Sequence, residues 1–241
     1  MSNTKFLIVK ESNCNRLKTG CESIDTLLLG GIETNIITNI YGPSGAGKTN
    51  FTIQAIVACI KEGKKAVLID TEGGFSTERF VQMHNKEALK DLFIFNAKTF
   101  FEQEQAIKEL EILIEKENIG LIAIDSLVSL YRLHMHNDKI QEANQKLSAQ
   151  LAILSSISRK QNIPVIVTNQ VYSDFETGEI EIVGGDIPKY ASKCLIKIEK
   201  KEGIKRVATI IKHRSIPEGI TCDFDITQTG LVTHKKKLGL F

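Results

Sequence analysis

Short apolar runs alternate with longer amphipathic segments along most of the chain. The apolar runs have the length of buried strands, and the amphipathic segments repeat apolar residues at helical spacing. The predicted strands span residues 35–41, 65–70, 91–95, 119–125 and 164–168, and the predicted helices span residues 48–60, 77–90, 101–116 and 139–160. Because strands alternate with helices, the pattern predicts an α/β fold with a mostly parallel, twisted sheet flanked by helices.

The pattern changes after Ser192, where short alternating segments follow one another without helices between them. These segments span residues 194–199, 206–212, 221–226 and 230–234. Turn signals such as Glu202-Gly203 separate them, which is typical of an antiparallel meander that extends a sheet. We find no linker, repeat or low-complexity tract, so we expect residues 1–241 to form a single domain.

Composition excludes several classes of protein but selects none. Hydrophobic residues make up 42% of the 241 residues and charged residues 25%, which is ordinary for a globular chain. The net charge of +2 requires any nucleic-acid surface to be local. The five cysteines are scattered without a C-x-x-C pair, which favours free thiols in a reducing, cytoplasmic compartment. No apolar run has the length of a membrane span, so no membrane partner is expected.

The segment from Gly42 to Thr49 has the pattern G-x-x-x-x-G-K-T of a phosphate-binding P-loop, between a predicted strand and a predicted helix. Its backbone N–H groups cradle phosphate oxygens, and the helix that follows directs its positive end at the same anion. Lys48 is expected to reach the β- and γ-phosphates, and Thr49 to offer its hydroxyl to Mg²⁺. The nucleotide-contacting candidates are Gly42, Pro43, Ser44, Gly45, Ala46, Gly47, Lys48, Thr49 and Asn50.

Three polar residues follow predicted strands, at the edge where open α/β sheets bind ligands. Asp125 ends an apolar run and is expected to hold the Mg²⁺ of Mg-ATP. Glu72 either activates the attacking water or is a solvated loop acid, and its position alone does not decide between the two. Gln170 either senses the γ-phosphate through its neutral amide or belongs to a turn.

The order of these motifs resembles the ATPase core of the RecA/RadA recombinases over residues 19–232. The matching motifs are Thr19-Gly20, Leu29-Gly-Gly-Ile32, the P-loop, Asp70-Thr-Glu-Gly73, Glu78-Arg79, Ile124-Asp-Ser126, Thr168-Asn-Gln-Val171, Gly184-Gly185 and Pro217-Glu218. The short form, without an N-terminal helix-hairpin-helix domain, is most similar to the archaeal RadB paralogues. The resemblance implies a RecA-like fold.

The resemblance also implies roles for single residues. Glu72 corresponds to the catalytic glutamate of the family, and Gln170 to the residue that links the γ-phosphate to a DNA-binding loop. Arg79 corresponds to the arginine that stacks on adenine, as a planar cation on an aromatic face. ATP and Mg²⁺ are the ligands implied, with Lys48 at the phosphates and slow hydrolysis by the isolated protein.

Both loops that hold DNA in the family differ in this chain. In the first loop, Asn137-Asp138-Lys139 stands where the family has arginine between glycines, and Arg132 remains as a phosphate contact. The second loop, residues 172–185, carries Asp174, Glu176, Glu179 and Glu181 and no Lys or Arg. Thr177-Gly178 within it predicts a small hairpin. Tyr172 could stack on a base or simply pack.

Basic residues near the carboxyl terminus supply the remaining DNA-binding candidates. Lys212 either reaches a neighbouring subunit's γ-phosphate or belongs, with Arg214, to a patch for the DNA backbone. Lys235, Lys236 and Lys237 form a second cluster, whose alternative is a solvated tail.

The absence of any F-x-x-A motif removes the route by which the recombinases polymerise. We therefore expect an ATP-binding, DNA-binding accessory protein of homologous recombination and DNA repair that acts on a RadA-type recombinase, with homodimerisation left open. The alternatives are a strand-exchange recombinase in its own right and a KaiC-like regulatory ATPase.

Overall fold

The computed structural model describes residues 15–135, 140–173 and 180–235, with only the backbone given for Ser173, Ile180 and Glu181. The strands are β1 Arg16–Leu17, β2 Ile32–Glu33, β3 Ile37–Tyr41, β4 Lys65–Asp70, β5 Leu92–Asn96, β6 Ile119–Asp125, β7 Val165–Asn169, β8 Val171–Ser173, β9 Ile180–Ile182, β10 Cys194–Lys200, β11 Lys205–His213, β12 Thr221–Thr227 and β13 Gly230–Thr233. The helices are α1 Glu22–Leu27, α2 Lys48–Lys61, α3 Thr77–Met83, α4 Phe100–Lys116, α5 Ser129–His134, α6 Ile140–Gln161 and α7 Asp186–Ala191.

One large sheet has the strand order β13-β12-β11-β10-β3-β7-β6-β4-β5. The strands from β10 to β5 pair in parallel. The strands from β10 to β13 pair antiparallel. The predicted fold class, a mostly parallel sheet with a carboxyl-terminal antiparallel meander, is therefore confirmed.

The central strands are mostly apolar because helices cover both faces of the sheet. In β4, Ala66 and Leu68 belong to one core cluster together with residues of α1, α2 and α3. The intervening Val67 and Ile69 belong to the other cluster, together with residues of α4, α5 and α6. The period-2 alternation of a strand thus contributes side chains to both cores at once.

The register of the parallel strands brings their carboxyl ends to one edge. Tyr41 at the end of β3 pairs with Asn169 at the end of β7. Asp70 at the end of β4 pairs with Asp125 at the end of β6. The loops that follow these strands, which carry the candidate residues of the nucleotide site, therefore leave the sheet side by side.

The helix predicted over residues 77–90 is shorter than expected, because α3 ends at Met83 and a 3₁₀ turn follows over Glu87–Asp91. The side chain of Asn85 accepts a hydrogen bond from the Ala88 backbone N–H at 2.9 Å. Such a local bond starts a new turn and competes with continuation of the helix.

Short elements were missed by the pattern, namely α1, α5, α7 and the two-stranded sheet of β1 and β2. The hairpin predicted in the second loop is confirmed in its strands, since β8 pairs antiparallel with β9. Its turn, residues 174–179, lies outside the described residues. None of the helices within the described ranges combines the length and the apolar character that crossing a membrane would need.

Candidate nucleotide-binding site

The P-loop joins the buried strand β3 to the amino end of α2. Gly47 has φ of 107°, and a Cβ there would lie 2.4 Å from Ile226 Cδ1. Gly42 is as constrained, since its Cβ would lie 2.2 Å from the Ile198 carbonyl oxygen. Because Gly47 precedes α2 and has no side chain to cap it, the first-turn N–H groups of α2 are available to an anion.

Lys48 folds its side chain back over the loop that carries it. Its Nζ donates to the carbonyl oxygens of Gly42 at 2.9 Å and Pro43 at 3.1 Å. Burial lowers the Lys48 pKa, while the charges of Asp125 and Glu72 act in the opposite direction. The ammonium group is thus held where negative charge is favourable, which fits a phosphate ligand.

Asp125 is buried at the end of β6 and accepts hydrogen bonds from the hydroxyls of Thr168 and Thr49. Burial raises the Asp125 pKa, and the nearby charges of Glu72 and Asp70 raise it further. A cation would relieve this excess of negative charge. The described residues contain no group of three His, Cys, Asp or Glu side chains that could hold a metal. Mg²⁺ takes few carboxylates from the protein and completes its shell with phosphate oxygens and water, so Asp125 and the Thr49 hydroxyl are groups of the kind it binds.

Glu72 and Gln170, which are far apart in sequence, meet at this edge. The Gln170 Nε2 donates to the Glu72 Oε1 at 2.7 Å. Asp70 shapes the loop that carries Glu72, because its carboxylate accepts from the backbone N–H groups of Glu72 at 3.1 Å, Gly74 at 3.2 Å and Phe75 at 2.9 Å. Sequence reasoning missed this role of Asp70, although a strand-end aspartate before a glycine pair was a signal for it.

Arg79 lines an open cleft of about 640 Å³ beside the P-loop, together with Thr49 and Asn50. Its guanidinium donates to Asn50 Oδ1 at 2.7 Å and to the carbonyl oxygens of Thr227 at 2.8 Å and Gln228 at 2.7 Å. Because several acceptors in different segments hold it, the planar group has a fixed orientation at the cleft.

Arg206 is a residue of the site that sequence reasoning missed. It is buried, and its Nε donates to the Ala46 carbonyl oxygen at 3.0 Å while its NH2 lies 3.5 Å from the Gly45 carbonyl oxygen. The signal was its place in β11, where Arg206 shares an inward-facing register with the buried Ala208 and Ile210. An arginine at an inward position of an alternating strand needs a polar partner, here the back of the P-loop.

Arg132 of α5 and Tyr172 of β8 come together although they are far apart in sequence. Both line a cleft of about 790 Å³ between the end of α5 and the β8–β9 hairpin. Tyr172 is exposed. Gly184 and Gly185 also line the cleft and lead into α7.

The remaining basic candidates are dispersed. Lys212 donates to the Lys189 carbonyl oxygen in α7 at 2.8 Å, and burial, with the charge of Lys193, lowers the Lys212 pKa. Arg214 forms an ion pair with the buried carboxylate of Glu33. Lys235 is exposed beyond β13, whereas Lys236 and Lys237, like Asp174, Glu176 and Glu179 of the second loop, lie outside the described residues.

Fold and site together are those of a RecA-like P-loop protein. The chain belongs to the Rad51 family, whose model matches residues 10–234. Proteins of this family are nucleotide-binding ATPases, typically dependent on Mg²⁺.

Curated relatives cover nearly the whole chain. It is 42% identical over 220 residues to the DNA repair and recombination protein RadB of Methanococcoides burtonii, covering 90% of this chain and 97% of the relative. It is 36% identical to the protein of the same name from Thermoplasma acidophilum, covering 92% and 96%. A crystal structure described as the RadB recombinase superposes with a TM-score of 0.79 at 35% identity, covering 91% of this chain and 100% of that one.

We predict that Arg206→Ala weakens binding of an ATP analogue about tenfold, because carbonyl groups of the P-loop lose a charged donor. Lys48→Ala should weaken binding much more, since it removes charge at the phosphates themselves. Calorimetric titration with circular dichroism as a check of folding measures both effects. Lys197→Ala, which removes another β10–β11 cation, is the control and should bind normally. Wild-type affinity in Arg206→Ala would show that the P-loop holds its shape without this residue.

Proposed function

We propose that this protein is a RadB-like accessory factor of homologous recombination and DNA repair. It binds Mg-ATP at the P-loop, binds DNA without sequence specificity, hydrolyses ATP slowly when alone and modulates a RadA-type recombinase in the cytoplasm. Membership of the Rad51 family and the names of the relatives support the recombination role.

One contact carries the proposal, namely the 2.7 Å hydrogen bond between Gln170 Nε2 and Glu72 Oε1. Glu72 is the candidate for activating water, and Gln170 directly precedes β8, which contains Tyr172 of the cleft beside α5. A nucleotide at the P-loop and a ligand in the cleft therefore both act on the hydrogen-bonded pair of Gln170 and Glu72. This arrangement supports a nucleotide-dependent binding protein.

In the proposed mechanism, Lys48 exchanges its carbonyl partners for phosphate oxygens. Glu72 accepts the proton of the attacking water, and Gln170 keeps that carboxylate oriented. Asp125 and Thr49 would hold Mg²⁺, and the ion when bound neutralises developing phosphate charge. Arg79 offers the flat face of its guanidinium to the base. Hydrolysis is slow in the isolated chain because the expected contacts from a neighbouring subunit are missing.

Glu72→Gln should bind Mg-ATP with wild-type affinity and lose most of its hydrolysis, because the amide keeps the shape but cannot accept a proton. We expect a loss of about 100-fold or more, which a phosphate-release assay measures. Glu78→Gln makes the same chemical change on the exposed surface of α3, so it is the matched control and should hydrolyse normally. Unchanged turnover in Glu72→Gln would move the catalytic role elsewhere, and lost binding would make Glu72 a structural residue.

The cleft between α5 and the hairpin is the DNA site that the geometry supports best. Arg132 supplies a cation, and Tyr172 supplies an exposed ring on which a base can stack. Lys212, which does not line this cleft, donates to α7 and has the charge of Lys193 near it, so it is a separate candidate for the DNA backbone. Arg214 contributes less, since Glu33 already balances its charge.

Arg132→Ala should flatten the slope of log affinity against log salt by about one unit, since one phosphate contact is lost. Tyr172→Leu should weaken single-stranded DNA binding by about 1–3 kcal/mol while keeping the slope, because stacking is not ionic. Joint neutralisation of Lys235, Lys236 and Lys237 should flatten the slope further. Lys61→Ala, at the far end of α2, is the control for a lost surface charge. Anisotropy titrations over a salt series would contradict each assignment if the corresponding variant behaved as wild type.

A second surface suits a protein partner. The strand β5, last in the order of the described sheet, forms with α4 an apolar groove of about 440 Å³. Ile94 and Phe95 of β5 and Ile112 of α4 are exposed there, and Glu109 and Lys116 border the apolar floor. An extended apolar segment of a RadA-type recombinase can add a strand to β5 and place its side chains in the groove.

Ile112→Asp should weaken capture of a cognate RadA-type recombinase at least tenfold, because a carboxylate would be buried in an apolar contact. Ile204→Asp is the matched control, since Ile204 is 56% exposed and Ile112 55% exposed. Both variants should bind ATP normally. Equal capture by both would place the partner elsewhere, and loss of self-association in sedimentation would identify the groove as a homodimer contact.

Two outcomes would favour the alternative functions. Strand exchange without a partner would favour a recombinase in its own right. Binding to protein but not to DNA would favour a KaiC-like regulator.

A further inference from the structure

The hydroxyl of Thr71, between Asp70 and Glu72, makes three close contacts in the interior. It accepts from the Ser126 backbone N–H at 2.8 Å. It lies 2.7 Å from the Ser126 carbonyl oxygen and 2.6 Å from the Ser129 hydroxyl. The Thr71 backbone N–H donates to the Asp125 carbonyl oxygen at 2.9 Å. The residue before Glu72 is therefore tied by backbone and side chain to the segment after Asp125.

The number of protons and lone pairs on a hydroxyl limits the directions of these bonds. Thr71 has one proton and two acceptor sites. The Ser126 carbonyl oxygen can only accept, and it lies 2.7 Å from the Thr71 hydroxyl but 3.5 Å from the Ser129 hydroxyl. The shorter distance favours the arrangement in which the Thr71 proton points to this carbonyl oxygen and the Ser129 hydroxyl donates to Thr71. All three contacts of Thr71 are satisfied in this arrangement, and the one with Ser129 connects it to a helix.

Ser129 is the first residue of α5, and Arg132 lies less than one helical turn further on. Tyr131 and Arg132 of α5, together with Met135 just after the helix, line the cleft that also contains Tyr172. A shift of α5 in response to a ligand in the cleft therefore changes the donor to Thr71. Since Thr71 and Glu72 are consecutive, the change reaches the carboxylate that contacts Gln170.

Other hydrogen bonds hold the segment before α5 in place. The Leu127 carbonyl oxygen accepts from the buried Gln103 at 3.0 Å, and the Leu127 N–H donates to the Thr168 carbonyl oxygen at 3.0 Å. These bonds hold the segment against α4 and β7, so they do not transmit a movement of α5 to Glu72. Ser129, within α5 itself, has a side chain that reaches the loop of Glu72.

We propose that Thr71 is a positioning residue that couples α5 to Glu72 through its hydrogen bond with Ser129, so that the cleft and the nucleotide site influence each other. The inference rests on the proposed function, because it assumes a nucleotide at the P-loop. Coupling is reciprocal, so nucleotide binding must order α5 just as occupancy of the cleft must act on Glu72. This reciprocity allows a test that needs no DNA.

The test is hydrogen–deuterium exchange with and without a non-hydrolysable ATP analogue and Mg²⁺. In the wild type, the analogue should slow exchange in α2 and in residues 129–135. In Ser129→Ala, the protection of α2 should persist and that of residues 129–135 should be lost. Ser158→Ala, which removes a buried hydroxyl bonded to the Ile36 and Ile163 carbonyl oxygens, is the matched control and should respond as wild type.

A kinetic measurement separates coupling from a merely structural role. In Ser129→Ala, stimulation of hydrolysis by single-stranded DNA, measured relative to the variant's own rate without DNA, should fall at least about fivefold, the lower end of ordinary coupling, while KM for ATP stays unchanged. Thr71→Ser, which keeps the hydroxyl, should retain the stimulation, and Thr71→Val should lose it.

The possible results separate the coupling from nucleotide binding itself. Equal protection of residues 129–135 in wild type and Ser129→Ala, or protection of α2 without any response of α5 in the wild type, overturns the coupling alone. No protection of α2 in the wild type overturns nucleotide binding at the P-loop and the coupling with it.

Discussion

The register of the parallel strands is the constraint on which the rest of this structure depends. Tyr41 pairs with Asn169 and Asp70 with Asp125, so four strands end at one level. A slip of one residue in β6 would turn Asp125 into the core and an apolar side chain towards the ligand. The apolar cores on the two faces of the sheet oppose such a slip, because every residue of β6 is buried.

The nucleotide site holds unfavourable electrostatics that a ligand would relieve. Burial raises the Asp125 pKa and lowers the Lys48 pKa, so each charge is less stable than it would be in water. Each charge lessens the cost of the other, but the adjacent Glu72 leaves an excess of negative charge beside Asp125. A cation and phosphate together would satisfy both groups, and this is the physical reason why the site suits Mg-ATP.

Two surfaces of different chemistry lie beside the strands that carry the nucleotide site. The cleft with Arg132 and Tyr172 is reached through the loops after β6 and β7, the strands that lead to Asp125 and Gln170. The groove of β5 and α4 lies at the end of the described sheet, beyond β4. The meander, by contrast, stabilises the site, since Arg206 supports the P-loop from β11. Arg214, just beyond the other end of β11, is committed to the buried carboxylate of Glu33.

Local patterns in the chain were enough to predict much of this protein. The P-loop, the order of the main strands and helices, the antiparallel meander and the hairpin strands of the second loop follow from motif, periodicity and turn residues. Short elements such as α5 were not predicted, because six residues are too few to show a helical period. The early end of α3 was not predicted, because it depends on one hydrogen bond from the Ala88 backbone N–H to the Asn85 side chain.

Only the folded structure shows which distant side chains contact one another. Glu72 had two interpretations from its position, and its 2.7 Å contact with Gln170 joins the ends of strands that are neighbours in neither sequence nor sheet. The support of the P-loop by Arg206, the ion pair of Arg214 with Glu33, and the contacts of Thr71 with Ser126 and Ser129 have the same origin. Such pairs depend on strand order and register, which arise from burying the whole sheet at once and which no local stretch of sequence contains.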